Sequence, residues 1–192
     1  MQDLIIWDNR LKGPKPLGRE VLEVDENATL SSALAWVVTK SAAYGGDVRV
    51  RILGHGGEPV LYERQVPDVW FPYLVKNTAP VVAQGGLGMW LCKENLSLQT
   101  VGYFRAWMGK VKKIDLLGCG VAYITPGLEG KAGDGNLLCM KLAQVTQAYV
   151  RASTTEQLYN FRAPIDFGPW EGTVLTYGPS GAVVKVEHSP QE

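Results

Sequence analysis

The chain has 192 residues, 46% hydrophobic and 20% charged, ordinary proportions for a globular protein and enough for one sizeable core. Lysine plus arginine and aspartate plus glutamate both count 19, so the formal net charge is zero and no clustered positive footprint for nucleic acid stands out. No run approaches the roughly 18 apolar residues of a membrane span, and Met1–Arg10 lacks the basic start and long apolar middle of a signal peptide.

In chain order, Leu4–Trp7 reads as a short strand, followed by a loop with Gly13, Pro14, Pro16 and Gly18 and then by Val21–Val24. Leu30, Ala33, Leu34, Val37 and Val38 recur at helical spacing, so a helix is predicted from Leu30 to Ala43, capped by Asn27 or Thr29 and ended at Gly45–Gly46. Asp47–Leu53 alternates valine and isoleucine with arginine and reads as a strand feeding the loop at His55. Residues 58–95 are broken by Pro59, Pro67, Pro72 and Pro80. Short strands are expected there at Val60–Tyr62 and Val81–Ala83, with a turn at Gly85–Gly88. Leu98, Val101, Arg105 and Met108 predict a helix capped by Ser97 and closing near Gly109. An apolar strand then ends at Gly118-Cys119-Gly120. Past the glycine-rich loop 127–135, Leu138, Leu142 and Val145 mark another helix before a strand over Ala148–Ser153. Thr173–Tyr177 and Ala182–Val186, joined by Gly178-Pro179-Ser180-Gly181, predict an antiparallel hairpin.

That order implies an α/β fold in one domain over residues 1–192: a mostly parallel central sheet with helices on both faces, a core of about 1–155, and a C-terminal extension, 156–192, carrying the hairpin. Reactive groups in such sheets gather at the carboxyl ends of the strands. Two strands deliver one each, His55 and Cys119, both flanked by glycine. A nucleophilic cysteine needs access to substrate, a base within reach and donors for the developing oxyanion. Cys119 supplies the thiol, His55 the base, and the backbone amides of Gly56 and Cys119 the donors. A lone cysteine is ordinarily a small buried hydrophobe, which is how Cys92 and Cys139 read among large apolar neighbours. For Cys119 two independent strand-end contexts agree. His188 reads as solvated surface.

Three widely spaced cysteines without a C-x-x-C pair argue against a disulfide framework and a structural zinc site. The default compartment is therefore a reducing cytoplasm, although export by a signal-independent route would leave no trace here. With two histidines and no H-E-x-x-H, no catalytic metal is expected. A P-loop, a G-x-G-x-x-G and a G-x-S-x-G are all missing, and no cofactor is implied.

An apolar strand ending in His-Gly (Ile52 to Gly56), followed by one ending in Gly-Cys-Gly (Asp115 to Ala122), resembles the caspase-like superfamily of cysteine peptidases, which includes caspases, legumain and separase. The Gly-Cys form and the Leu138–Ser153 stretch are most similar to bacterial caspase-like domains, and the likeness covers about residues 47–155. The resemblance implies a caspase-like fold and a thiol protease acting on a protein or peptide substrate. His55 and Cys119 would form its catalytic dyad, Gly56 and Cys119 its oxyanion hole. It also implies that specificity comes from side chains after the strand following the cysteine strand, where Glu156, and further on Asp166, could receive a basic residue. The caspase Q-A-C-x-G pattern is not present, so aspartate specificity does not follow. Two other readings stand beside this one. One is a caspase-like module that binds without cutting, with Trp70-Phe71-Pro72-Tyr73 as a partner surface. The other is a secreted bacterial effector with the same cysteine chemistry.

Overall fold

A computed structural model describes residues 1–56, 85–160 and 164–190. The short strands expected at 60–62 and 81–83, and the aromatic stretch at 70–73, lie outside these residues. Seven strands form one sheet: β1 (Gln2–Asp8), β2 (Val21–Val24), β3 (Val48–Leu53), β4 (Lys113–Leu117), β5 (Tyr149–Ser153), β6 (Thr173–Tyr177) and β7 (Val183–His188). Their spatial order is β2-β1-β3-β4-β5-β6-β7. The first five strands run parallel, while β6 and β7 are antiparallel to their neighbours, so the predicted hairpin continues the sheet as its sixth and seventh strands.

Alternation along the strands sorts the core into two. Leu4, Ile6, Val50, Ile52, Ile114, Leu116, Val150 and Ala152 point to one face. There they meet α1 (Leu30–Ala43), α2 (Gly135–Thr146) and a 3-10 helix (Val101–Trp107). Helices were expected on both faces; among the described residues all three lie on this one. Right-handed crossovers that keep stepping in one direction, from β3 to β4 to β5, return each helix to the same side. The one reversal, β1 to β2, is made by residues 9–20, which contain no helix. That loop delivers Leu11 to the opposite face, where Ile5, Trp7, Leu53 and Leu117 meet Ile165, Phe167, Trp170 and Val174.

The second face is apolar only toward the carboxyl ends of the strands. Toward the amino ends it carries ion pairs, across strands between Arg49 and Asp3 (2.5 Å), Arg49 and Asp115 (3.6 Å) and Arg151 and Glu187 (3.4 Å), and along β4 between Lys113 and Asp115 (3.3 Å).

Helix boundaries follow from local chemistry. Of the two caps considered for α1, Thr29 serves, its hydroxyl accepting from Ser32 N at 3.3 Å. Asp134 caps α2 by accepting from Leu137 N at 2.9 Å. The helix expected from Leu98, Val101, Arg105 and Met108 is instead a turn followed by the 3-10 helix. Its buried side chains are Val101, Phe104 and Trp107. Their spacing of three is the 3-10 repeat, in which i and i+3 eclipse, and it turns Arg105 and Met108 to solvent.

Candidate active site

Because β3 and β4 are adjacent and parallel, paired from Arg49 with Lys113 to Leu53 with Leu117, their carboxyl ends emerge side by side. The loops that follow interlock through backbone. Gly54 N donates to Leu117 O at 3.2 Å. A side chain at Gly56 would overlap the Cys119 carbonyl and come within 3.0 Å of Cys119 N. One at Gly118 would come within 2.6 Å of Gly54 O. Only glycine permits this approach, which is why the glycines flank the two reactive residues. Residues 85–96 pack beside them: Gly86 N donates to Gly120 O (2.8 Å) and Trp90 N to His55 O (2.8 Å).

His55 is half-buried, and its ring is held from two sides. Nε2 donates to the carbonyl of Arg10 at 3.3 Å, and Trp90 stands edge-on to the imidazole with ring centroids 5.2 Å apart. With the proton on Nε2, the lone pair that can take another sits on Nδ1. Burial holds the ring neutral, lowering its pKa to about 4 against the opposing pull of the Arg10 carbonyl and the Asp8 carboxylate.

Cys119 is half-buried, and its thiol meets the backbone of Gln157, accepting from N at 3.4 Å and facing O at 3.7 Å. Gln157 is itself locked. Its amide donates to Ser153 Oγ (2.9 Å), Glu156 O (2.7 Å) and Glu171 O (2.9 Å), and accepts from Glu171 N (3.2 Å). Burial pushes the Cys119 thiol up; the Gln157 amide opposes this, and the negative charges of Glu156 and Glu171 add to it. The thiol and the imidazole are not hydrogen-bonded to one another, and burial favours the neutral form of each. The Cys119 amide has no acceptor among the described residues, as an oxyanion donor requires. Cys92 and Cys139 are fully buried, and burial pushes the Cys92 thiol up to about 12 and that of Cys139 higher still.

Glu156 and Asp166 do not share a location. Glu156 is exposed and bears on the thiol through its charge. Asp166 lines a cavity of about 380 Å³ on the second face with Arg51, Leu53, Ile165 and Phe167. Reading the sequence missed Asp8, Arg10, Trp90 and Gln157. The first two stand where the carboxyl-end rule would have found them, Asp8 as the last residue of β1 and Arg10 two residues beyond it; Gln157 carries no local signal. Among the described residues no group of His, Cys, Asp and Glu could hold a metal ion, and no helix is long and apolar enough to cross a membrane.

Compared with protein-family models, with curated proteins and with solved structures, the chain matches none.

Proposed function

We propose that the chain is a cysteine peptidase of caspase-like architecture, cutting a peptide bond with Cys119 as nucleophile and His55 as base. The observation that carries this reading is the interlocking of two glycine-flanked strand ends on adjacent parallel strands, one bearing a neutral imidazole and the other a half-buried thiol. As Sγ attacks the carbonyl carbon, its proton passes to Nδ1 of His55, and the amides of Cys119 and Gly56 receive the oxyanion. The C–N bond then breaks as Nδ1 returns the proton to the leaving amine. Water attacks the thioester, its proton again taken by Nδ1, and release of the acid restores the thiol. Glu156, beside the thiol, suits a basic residue next to the cut bond.

One observation favours a second reading, a module that binds without cutting: Gln157 covers the thiol, and no base among the described residues hydrogen-bonds to it. Rates of carbamidomethylation by iodoacetamide, read by peptide mass spectrometry, separate the two. A peptidase labels Cys119 faster than Cys92 and Cys139, slows with His55→Ala, and loses cleavage of a peptide library in Cys119→Ala. Labelling of Cys119 no faster than that of the buried cysteines, with no library peptide cut, would overturn the peptidase reading.

A further inference from the structure

Asp8 is a carboxylate with no exposed surface at the end of β1, beyond the reach of water. A buried charge is tolerated only when its oxygens are filled by donors, and removing one partner leaves the other uncompensated. The donors here come from two places in the chain. Arg10 fastens both oxygens, Nε to Oδ1 at 2.7 Å and Nη2 to Oδ2 at 2.5 Å, and adds its own backbone N to Oδ1 at 3.1 Å. Cys92 N, from the wall beside the site, donates to Oδ2 at 3.1 Å. Arg10 closes the circle by donating through Nη2 to Cys92 O at 2.9 Å. Cys92 has a φ of 56°, a left-handed conformation that a non-glycine residue keeps only where its surroundings hold it, and here both its N–H and its C=O are held by this pair.

The consequence reaches His55. Arg10 is the residue whose carbonyl accepts from Nε2, and its guanidinium lies over the Trp90 ring at 5.1 Å, the same ring that stands edge-on to the imidazole. Two of the groups that hold the imidazole are thus tied to one buried carboxylate. We propose that Asp8 is the positioning residue of the site: clamping Arg10 and the turn at Cys92, it fixes the carbonyl and the indole that orient His55. Asp8 touches neither substrate nor thiol; it acts through Arg10. This inference rests on the peptidase reading above, in which His55 is the base.

A cycle of variants tests it, read as the rate of Cys119 carbamidomethylation at neutral pH. Asp8→Asn keeps the shape, removes the charge and is expected to slow labelling about tenfold to a hundredfold, the usual cost of losing an orienting partner. In the His55→Ala background the same substitution is expected to add nothing, because it acts only through the ring. Cys139, buried in the core, reports folding throughout and should stay unlabelled. Should Asp8→Asn fail to fold, Arg10→Lys reads the same question: it keeps a cation but loses the two-pronged grip, and the slowing should again vanish without His55. An unchanged rate in a folded Asp8→Asn, or equal slowing with and without His55, overturns the proposal while the dyad stands. If His55→Ala alone leaves the rate unchanged, the dyad reading fails first, and with it the role of Asp8.

Discussion

Burial penalises a protonated imidazole more than a neutral one, and at His55 that penalty exceeds the help of the Arg10 carbonyl and Asp8, which is why the pKa falls to about 4. Stability must follow. The unfolded ring binds a proton near its ordinary value of 6.5 and the folded ring does not, so the native state weakens as pH falls through that window. Between pH 7 and 5 the loss attributable to this one residue is about 2 kcal/mol. Urea titrations of the wild type and His55→Gln at both pH values measure it: the wild type should lose more stability than the variant by that amount. Equal losses would show that the ring is not buried in solution. The reactive pair was legible in the sequence because glycine flanks both residues and a strand precedes each. Their supports were not. The bond from His55 to Arg10 spans 45 positions, and that from Cys92 to Asp8 spans 84. No local pattern records contacts of that separation.

Among the elements, α2 shows how much a single cap can do. Asp134 is almost fully buried, accepts from Leu137 N at the first turn and from Gly130 N at 2.8 Å, and so ties the glycine-rich loop to the helix start. Asp134→Ala should cost about 1–2 kcal/mol, the value of a cap with one further bond left open. The urea midpoint would then fall with no change in slope. A midpoint within error of the wild type would mean that water or a neighbour replaces the carboxylate. The same scale shows where periodicity misleads. Leu98, Val101, Arg105 and Met108 recur at spacings of three and four, whereas the side chains that are buried, Val101, Phe104 and Trp107, recur at three. Trp107 decides the matter, because its indole N–H reaches Leu34 O of α1 at 3.2 Å. That contact belongs to the tertiary fold.

For the whole molecule, the C-terminal part is no accessory. β6 pairs with β5 from Val150–Tyr177 to Ser153–Val174, and Ile165, Phe167, Trp170 and Val174 supply four of the nine buried residues of the second core. Each such side chain contributes about 2 kcal/mol, roughly 8 kcal/mol together, against a total stability of about 5–15 kcal/mol for a domain. A chain ending at residue 155 is therefore expected to lose cooperative unfolding, seen by circular dichroism in urea. A sharp transition in that fragment would mean that residues 1–155 form a self-sufficient core. At the same scale, the edge strand β7 leaves Val183, Val184 and Val186 exposed, with only Lys185 and Glu187 as charged residues between them and His188.

The sequence by itself determined the α/β class, the strands and two α-helices of the described residues, the hairpin, and a histidine and a cysteine at strand ends. Each of these is written in periodicity or in glycine placement within a few residues. Only the tertiary structure decided that the described helices share one face, that the 98–108 segment tightens to a 3-10 helix, and that Gln157 covers the thiol. It alone joined Asp8, Arg10 and Trp90 to His55. Those outcomes depend on crossover direction, on side chains meeting across the sheet and on burial of charge, which are properties of the folded chain as a whole.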